Sequence, residues 1–255
     1  MRTLLIDNSN GRTKCVPCEG DALVATPRVI PTGELSESAW EQLTADWRCD
    51  AALLSSVVPV AAAFFAAFYR KRGMELRRVS ARGQGVVSFD SYAGLATLGD
   101  DRLVNAMAAV AGGLQRPTMV IDAGTATTFD MVLPGSPPRF VGGAIAPGMG
   151  LLARCLHQAT AALPMPELAL PARAIGSETA TALQSGVVLG YRGLAQGLIS
   201  AMEEELGGLR VDLLLTGGDA ELLAKLLGRT AVVEPLLTLR GLACYASQAP
   251  SGQKN

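Results

Sequence analysis

The chain opens with an apolar run, Thr3-Leu4-Leu5-Ile6, that stops at Asp7. Polar and small residues follow from Asn8 to Lys14, and a second apolar stretch resumes at Cys15–Val16 before the turn signal Glu19-Gly20-Asp21. This pattern predicts a β-hairpin with a polar, glycine-containing tip. The same pattern returns later in the chain. Thr118-Met119-Val120-Ile121 ends at Asp122, Ala123 to Thr128 form a small-residue loop, and Phe129 to Leu133 read as the returning strand. Two strand–aspartate–loop–strand units predict an internal duplication. The glycine and proline cluster Gly112 to Pro117 marks the boundary between residues 1–115 and residues 116–255.

Between these landmarks, strand and helix periods alternate. Ala52 to Val58 reads as a buried strand, and the alanine-rich segment after Pro59, with Phe64, Phe65 and Phe68, reads as a helix. Leu103, Ala106, Met107 and Val110 fall at helical spacing and predict a helix from Asp100 to Ala111. The second half reads as a long helix from Thr179 to Leu206, a strand at Val211–Leu215 and a helix at Ala220–Leu227. A short strand at Ala231–Val233 and a final helix from Leu236 to Ser247 follow, and the polar tail Gln248 to Asn255 reads as frayed. Alternation of this kind predicts α/β layers, with mixed sheets flanked by helices.

Composition narrows the function. Hydrophobic residues make up 49% and charged residues 18% of 255 positions, so a large core can form and disorder is excluded. Lysine and arginine total 22 against 23 acidic residues, a balance that argues against nucleic acid as a partner. The longest apolar stretch, Val57 to Phe68, contains Pro59 and ends at Arg70-Lys71-Arg72, too short for a bilayer span of roughly 20 residues. A cytoplasmic protein with no membrane partner is expected. Cys15 and Cys18 form one CxxC pair, but a zinc site needs a second pair or histidines, and the chain's single histidine is His157. One histidine also gives little support to a Ser-His-Asp or Cys-His mechanism.

The chemistry concentrates in the two loops. An aspartate at a strand end beside small residues can hold a metal through its carboxylate and a phosphate through backbone amides, and Lys14 adds a mobile charge. In the second loop Gly124 allows close backbone approach, while Thr125 and Thr127 can donate hydroxyl hydrogen bonds to phosphate oxygens. Neither loop has the spacing of a P-loop. Gly142 to Gly148 and Thr216-Gly217-Gly218-Asp219 are further backbone walls suited to a nucleotide, or else compact turns. Tyr92 and Gly99-Asp100-Asp101-Arg102 place an acid and a base side by side at a helix start. Asp101 could take a proton from a hydroxyl and Arg102 could clamp an anion, although helix-start aspartates are commonly caps. Two such loops facing each other across a cleft point to the two-domain phosphotransferase architecture shared by actin, sugar kinases and heat-shock chaperone ATPases.

In order and spacing, these motifs resemble the type III pantothenate kinases of bacteria. The resemblance takes in Asp7 to Lys14, Ser55 to Pro59, Tyr92, Gly99 to Arg102, Asp122 to Thr127, Gly142 to Gly148, Ile175 to Thr179 with Gly186, and Thr216-Gly217-Gly218. It implies two ribonuclease-H-like (actin-like ATPase) domains, a homodimer, and ATP-dependent phosphorylation of pantothenate to 4'-phosphopantothenate, the first step of coenzyme A synthesis. It implies that Asp7, Asn10, Lys14, Gly124, Thr125 and Thr127 contact ATP, that Asp101 is the general base, and that Tyr92, Gly99, Arg102 and Thr179 contact pantothenate. It implies magnesium with the ATP at Asp7, and a monovalent cation, potassium or ammonium, near Asp122 or Asp130. The first loop departs from the usual Asp-x-Gly-Asn-Thr/Ser pattern, since Ser9 stands for the glycine and Gly11 for the hydroxyl residue; Asp100 replaces the commoner alanine. Two other readings stay open: a non-catalytic regulator like the Bvg accessory factors, and a kinase of the same architecture for another small hydroxy acid.

Overall fold

The computed structural model describes residues 1–82 and 85–248. The expected frayed tail lies, from position 249 on, outside the described residues. By internal contacts the chain forms two compact units. The first comprises Met1–Leu114, Pro134–Phe140 and the chain from Leu236 onward; the second comprises Gln115–Leu133 and Val141–Pro235. The units are therefore not the two consecutive blocks 1–115 and 116–255. The last helix returns to the first unit, because its apolar side chains pack there.

In the first unit, strands β1 (Arg2–Asn8), β2 (Arg12–Glu19), β3 (Ala22–Leu23), β4 (Arg28–Pro31), β5 (Ala51–Ser56) and β6 (Glu75–Arg78) form one sheet of order β3-β2-β1-β5-β6, with β4 also on β2. β1 runs antiparallel to β2 and parallel to β5. The hairpin is tighter than the sequence suggests. Thr13 and Lys14 belong to β2, paired with Asn8 and Asp7, so the turn shrinks to residues 9–11. Cross-strand pairing with β1 overrides the polar composition of that segment.

Side chains alternate between the two faces of this sheet. Leu4, Ile6, Cys15, Ala52 and Leu54 meet Trp40, Phe65, Phe68 and Tyr69 of helices α1 (Glu37–Thr44) and α2 (Pro59–Lys71). The buried Trp40 indole donates to the Tyr69 hydroxyl at 3.1 Å, which satisfies both polar tips in the core. Helix α1 starts where Ser36 accepts the Ala39 amide, and α2 starts at Pro59, whose missing N–H is harmless in a first turn. Cys15 and Cys18, three positions apart on β2, point to opposite faces, so the CxxC pair makes neither a chelate nor a disulfide. Burial pushes the Cys15 thiol up to about 12 and the Cys18 thiol to about 11, so both are inert.

Helices α3 (Asp100–Ala111) and α7 (Leu237–Gln248) pack on each other, α3 against β5 and α7 against β1. Leu103, Val104, Met107, Leu239 and Leu242 are buried, and each such side chain contributes about 1.5–3 kcal/mol. The helices cross so closely that a Cβ at Gly241 would run into the Val104 carbonyl.

In the second unit, β7 (Thr118–Ala123), β8 (Ala126–Leu133), β9 (Arg139–Pro147), β10 (Asp212–Thr216) and β11 (Val232–Val233) form a sheet of order β11-β10-β7-β8-β9, so the ribonuclease-H-like order recurs. Helices α4 (Met149–Ala159), α5 (Thr179–Glu205) and α6 (Ala220–Leu227) cover the face bearing Met119, Ile121, Phe129, Met131, Leu213 and Leu215. Below this core, Glu203 accepts from the Val211 amide at 2.9 Å and from Arg229 at 3.0 Å, tying α5 to the start of β10. Among the described residues, no helix is long and apolar enough to cross a membrane.

Two stability measurements check this packing. Gly241→Ala adds a methyl group where backbone already sits, and overpacking of about 1–3 kcal/mol outweighs the roughly 1 kcal/mol that alanine gains inside a helix. Its Tm falls by several degrees, whereas Gly193→Ala on α5, with nothing within 4 Å, leaves Tm unchanged or raised. Burial acts against the charge on Glu203, but the Arg229 and Val211 hydrogen bonds overcome it and hold the carboxyl below its usual range. A lowered carboxyl contributes stability above its unfolded value near ~4.3, and loses it as pH falls through the lower folded value. In thermal melts, wild type exceeds Glu203→Gln near neutral pH, and the gap closes on acidification.

Candidate functional site

Polar residues in the first unit gather where β1 and β5 end. Asp7 is buried at 8% exposure, opposite Lys14 on one side and Ser55 on the other. The Lys14 ammonium stands 3.9 Å from the Asp7 carboxylate, at the outer limit of an ion pair. Asn10 and Gly11 are exposed at the turn, and Ser9 closes it by donating backbone and side chain to the Arg12 carbonyl, both at 3.0 Å.

The start of α3 lies in the same unit. Asp100 accepts from the Ser56 amide and from Arg78, each at 3.0 Å, so its carboxylate fastens the helix start to the end of β5. That leaves Asp101 as the acid of the pair without this anchoring role. Its Oδ1 accepts the Arg102 amide at 2.8 Å. A Cβ at Gly99 would come within 2.5 Å of the same oxygen, so glycine there is what lets this rotamer exist. Burial raises the Asp101 carboxyl above its usual range, opposed by the Arg102 amide and guanidinium, while the Asp100 charge adds to the rise. A carboxyl so tuned is a better proton acceptor than an exposed one.

Arg102 is 7% exposed. Its guanidinium carbon lies 5.8 Å from the Tyr92 ring centre and 5.6 Å from that of Phe140, within cation–π range. Its Nη1 also donates to the Tyr92 hydroxyl at 3.4 Å. Phe140 holds Tyr92 edge-on at 5.3 Å between ring centres. Nothing local in the sequence connects Phe140 with Tyr92 or Arg102.

The second unit carries the other loop. Asp122 is half-buried at the end of β7, opposite Thr128 and Thr216. Gly124 and the exposed Thr125 form the tip, with the Thr125 carbonyl accepting the Gly148 amide at 3.0 Å. Gly217, with φ +96°, passes beneath the loop; a Cβ there would strike the Ala123 carbonyl and come within 2.6 Å of the Asp122 carboxylate. The glycine-rich stretches at 142–148 and 216–219 thus brace the Asp122 loop.

Thr127 is fully buried, and its hydroxyl pairs with the Tyr191 hydroxyl at 2.7 Å. The alternation of β8 turns it toward the helices α4 to α6, where it fastens the loop to α5. Asp130 is 1% exposed and sits on the opposite face, the face of Asp122 and Thr128. Thr179 is exposed at the first position of α5, where Glu178 and Thr181 form a reciprocal cap. Among the described residues, no three His, Cys, Asp or Glu side chains cluster as a metal cage. His157 is committed to the Leu163 carbonyl at 2.7 Å.

The family model for type III pantothenate kinase matches residues 3–201. A type III pantothenate kinase of Akkermansia muciniphila is 40% identical over 246 residues, covering 96% of this chain and 98% of its own. One from Methylacidiphilum infernorum is 35% identical over 241 residues, covering 94% and 86% respectively. Among solved structures, a Baf family protein of Campylobacter jejuni superposes with a TM-score of 0.60 at 18% identity over 95% of this chain and 96% of its own. The (R)-2-hydroxyglutaryl-CoA dehydratase component A of Acidaminococcus fermentans gives 0.55 at 13% identity over 98% and 97%. These structural likenesses establish the fold, that of the actin-like ATPases and kinases. With the family match spanning most of its length, the chain belongs to the type III pantothenate kinase family.

Proposed function

We propose that this chain transfers the γ-phosphoryl group of ATP to the hydroxyl of pantothenate, giving 4'-phosphopantothenate at the first step of coenzyme A synthesis. The observation that carries the reading is the start of α3 in a member of this family, where Asp101 lies over Gly99 and accepts the Arg102 amide, beside the buried Arg102 guanidinium.

Asp101 accepts the proton of the attacking hydroxyl. Arg102 and Tyr92 orient the pantothenate carboxylate, and the aromatic stacking around Arg102 fixes the guanidinium before substrate arrives. Gly99 leaves the space that the Asp101 carboxylate occupies; Thr179, exposed at the start of α5, is assigned to pantothenate by the family resemblance alone. Asp7, Asn10 and Lys14 are assigned to ATP-phosphate contacts within the first unit, and Gly124 and Thr125, separately, within the second. Thr127 supports its loop through Tyr191.

Magnesium, when bound with ATP, neutralises developing charge on the phosphates. Asp7, a buried carboxylate at a strand end beside Lys14, would hold that magnesium, since magnesium sites commonly use only one or two protein carboxylates. A monovalent cation, potassium or ammonium, is assigned to Asp122 and Asp130, which share one face of the second sheet. We assign the reaction to the cytoplasm and the active form to a homodimer. Supporting the dimer, the second unit exposes Ile145, Leu156, Met165, Leu170 and Ile175, apolar side chains suited to burial against a second copy.

With pantothenate and ATP, Asp101→Asn loses about 10²–10⁴ in kcat, while nucleotide affinity in a direct titration stays within a few-fold. The wild-type rate falls as acid protonates Asp101, and because this carboxyl is raised, that limb lies above the ordinary carboxylate value of about 4. A raised carboxyl lowers stability as pH rises through its folded value, so Asp101→Asn melts no lower than wild type near pH 7.5. Wild-type rate in this variant removes the base assignment; ATP hydrolysis with no dependence on pantothenate removes the substrate. Light scattering on an eluting column gives a mass of two chains for wild type and of one for Leu156→Glu with Ile175→Glu; one chain in both removes the dimer.

A further inference from the structure

Asn8 is a polar side chain at 2% exposure on the face of the first sheet that carries Leu4 and Ile6. It stands opposite Thr13 on β2 and Ser56 on β5, both also buried. Its Oδ1 accepts from the Ser56 hydroxyl at 2.6 Å, and its Nδ2 donates to the Thr13 hydroxyl at 2.8 Å. Thr13 and Thr32 hydroxyls lie 3.0 Å apart, and Thr32 donates to the Ser9 carbonyl at 2.7 Å.

The proton directions in this chain follow from counting donors. Thr32 has one hydroxyl proton and gives it to Ser9, so Thr13 must donate to Thr32. Thr13 then has lone pairs only for Asn8, so the Asn8 amide must present its nitrogen. The opposite amide orientation would claim the Thr13 proton and leave the Thr13–Thr32 contact without one. At the other end, the Ser56 amide donates to Asp100, which also holds Arg78. One continuous path therefore joins the Ser9 carbonyl, at the turn between β1 and β2, to the first turn of α3.

We propose that Asn8, Thr13 and Ser56 are positioning residues that hold the β1–β2 turn and the Asp101-bearing start of α3 in a single fixed geometry, so that phosphate loop and proton acceptor are set together. This rests on the kinase reading above. None of the three needs to touch a substrate. Asn8, Thr13 and Ser56 are buried and bonded, so this stretch of the path has little freedom, since a broken link strands a buried donor or acceptor. A misplacement of about 1 Å at the reacting atoms lowers turnover on the order of 10²-fold.

Thr13 is the cleanest probe, because valine matches its volume without the hydroxyl and serine keeps the hydroxyl. The enzyme is assayed with ATP and pantothenate, and amide hydrogen exchange is followed at residues 9–12, 56–58 and 99–103. The expected result is a fall of tenfold or more in kcat for Thr13→Val, with KM for pantothenate within threefold and kcat of Thr13→Ser within threefold of wild type. Exchange in Thr13→Val rises at 56–58 and 99–103 as well as at the turn. Wild-type kcat in Thr13→Val, or an exchange change confined to 9–12, overturns the proposal. If wild type itself fails to phosphorylate pantothenate, the functional reading is lost, and exchange at 99–103 alone decides the coupling. Should Thr13→Val not fold, Ser56→Ala is judged by the same two readouts.

Discussion

The Asp100 carboxylate binds the Ser56 amide and the Arg78 guanidinium, and this one anchor decides where α3 begins. Acidic side chains in a first turn already suit the helix dipole. Here the acid also reaches across to the end of β5 and to β6, so the helix start is fixed in three dimensions. Asp101 follows directly and lies over Gly99, in a position that burial and not exposure controls. Arg102 points next into the Tyr92 and Phe140 rings. Three consecutive residues thus take three environments: an anchor, a raised acid and a stacked cation. Loosening the first would move the other two.

The strand ends were legible because buried strands announce themselves by continuous apolar runs, and an aspartate interrupting such a run has few other places to be. Asp7 and Asp122 both stand at those ends. What could not be read was which face a residue takes once the register is set. Thr127 stands in a small-residue stretch, and because β8 begins at Ala126, alternation sends it to the Tyr191 side of the sheet. The tight turn after Asn8 has a related cause: Thr13 and Lys14 read as loop by composition, and only their pairing with β1 makes them strand.

Connectivity was the other limit. Helix α7 was predicted from its own period, but nothing in that period says that it packs on α3 and β1. Its fit depends on Gly241 meeting the Val104 backbone, a contact between residues far apart in sequence. Phe140 reaches Tyr92 and Arg102 by the same kind of long-range return. Local pattern identifies elements; contacts that join distant segments decide which unit an element belongs to.

The two sheets repeat one topology, yet they brace their strand-end carboxylates differently. Around Asp7 the support comes from side chains: Asn8, Thr13, Thr32 and Ser56 form a bonded row one position away. Around Asp122 it comes from backbone: Gly217 passes at positive φ under the carboxylate, and the Gly148 amide fastens the Thr125 carbonyl. A side-chain row can be interrupted one hydroxyl at a time, whereas a backbone brace yields only when a glycine is replaced. This difference explains how the first loop can carry Ser9 and Gly11 in place of a more regular turn. Ser9 supplies its own closure through the Arg12 carbonyl, and Gly11, with nothing within 4 Å of a would-be Cβ, is under no packing demand.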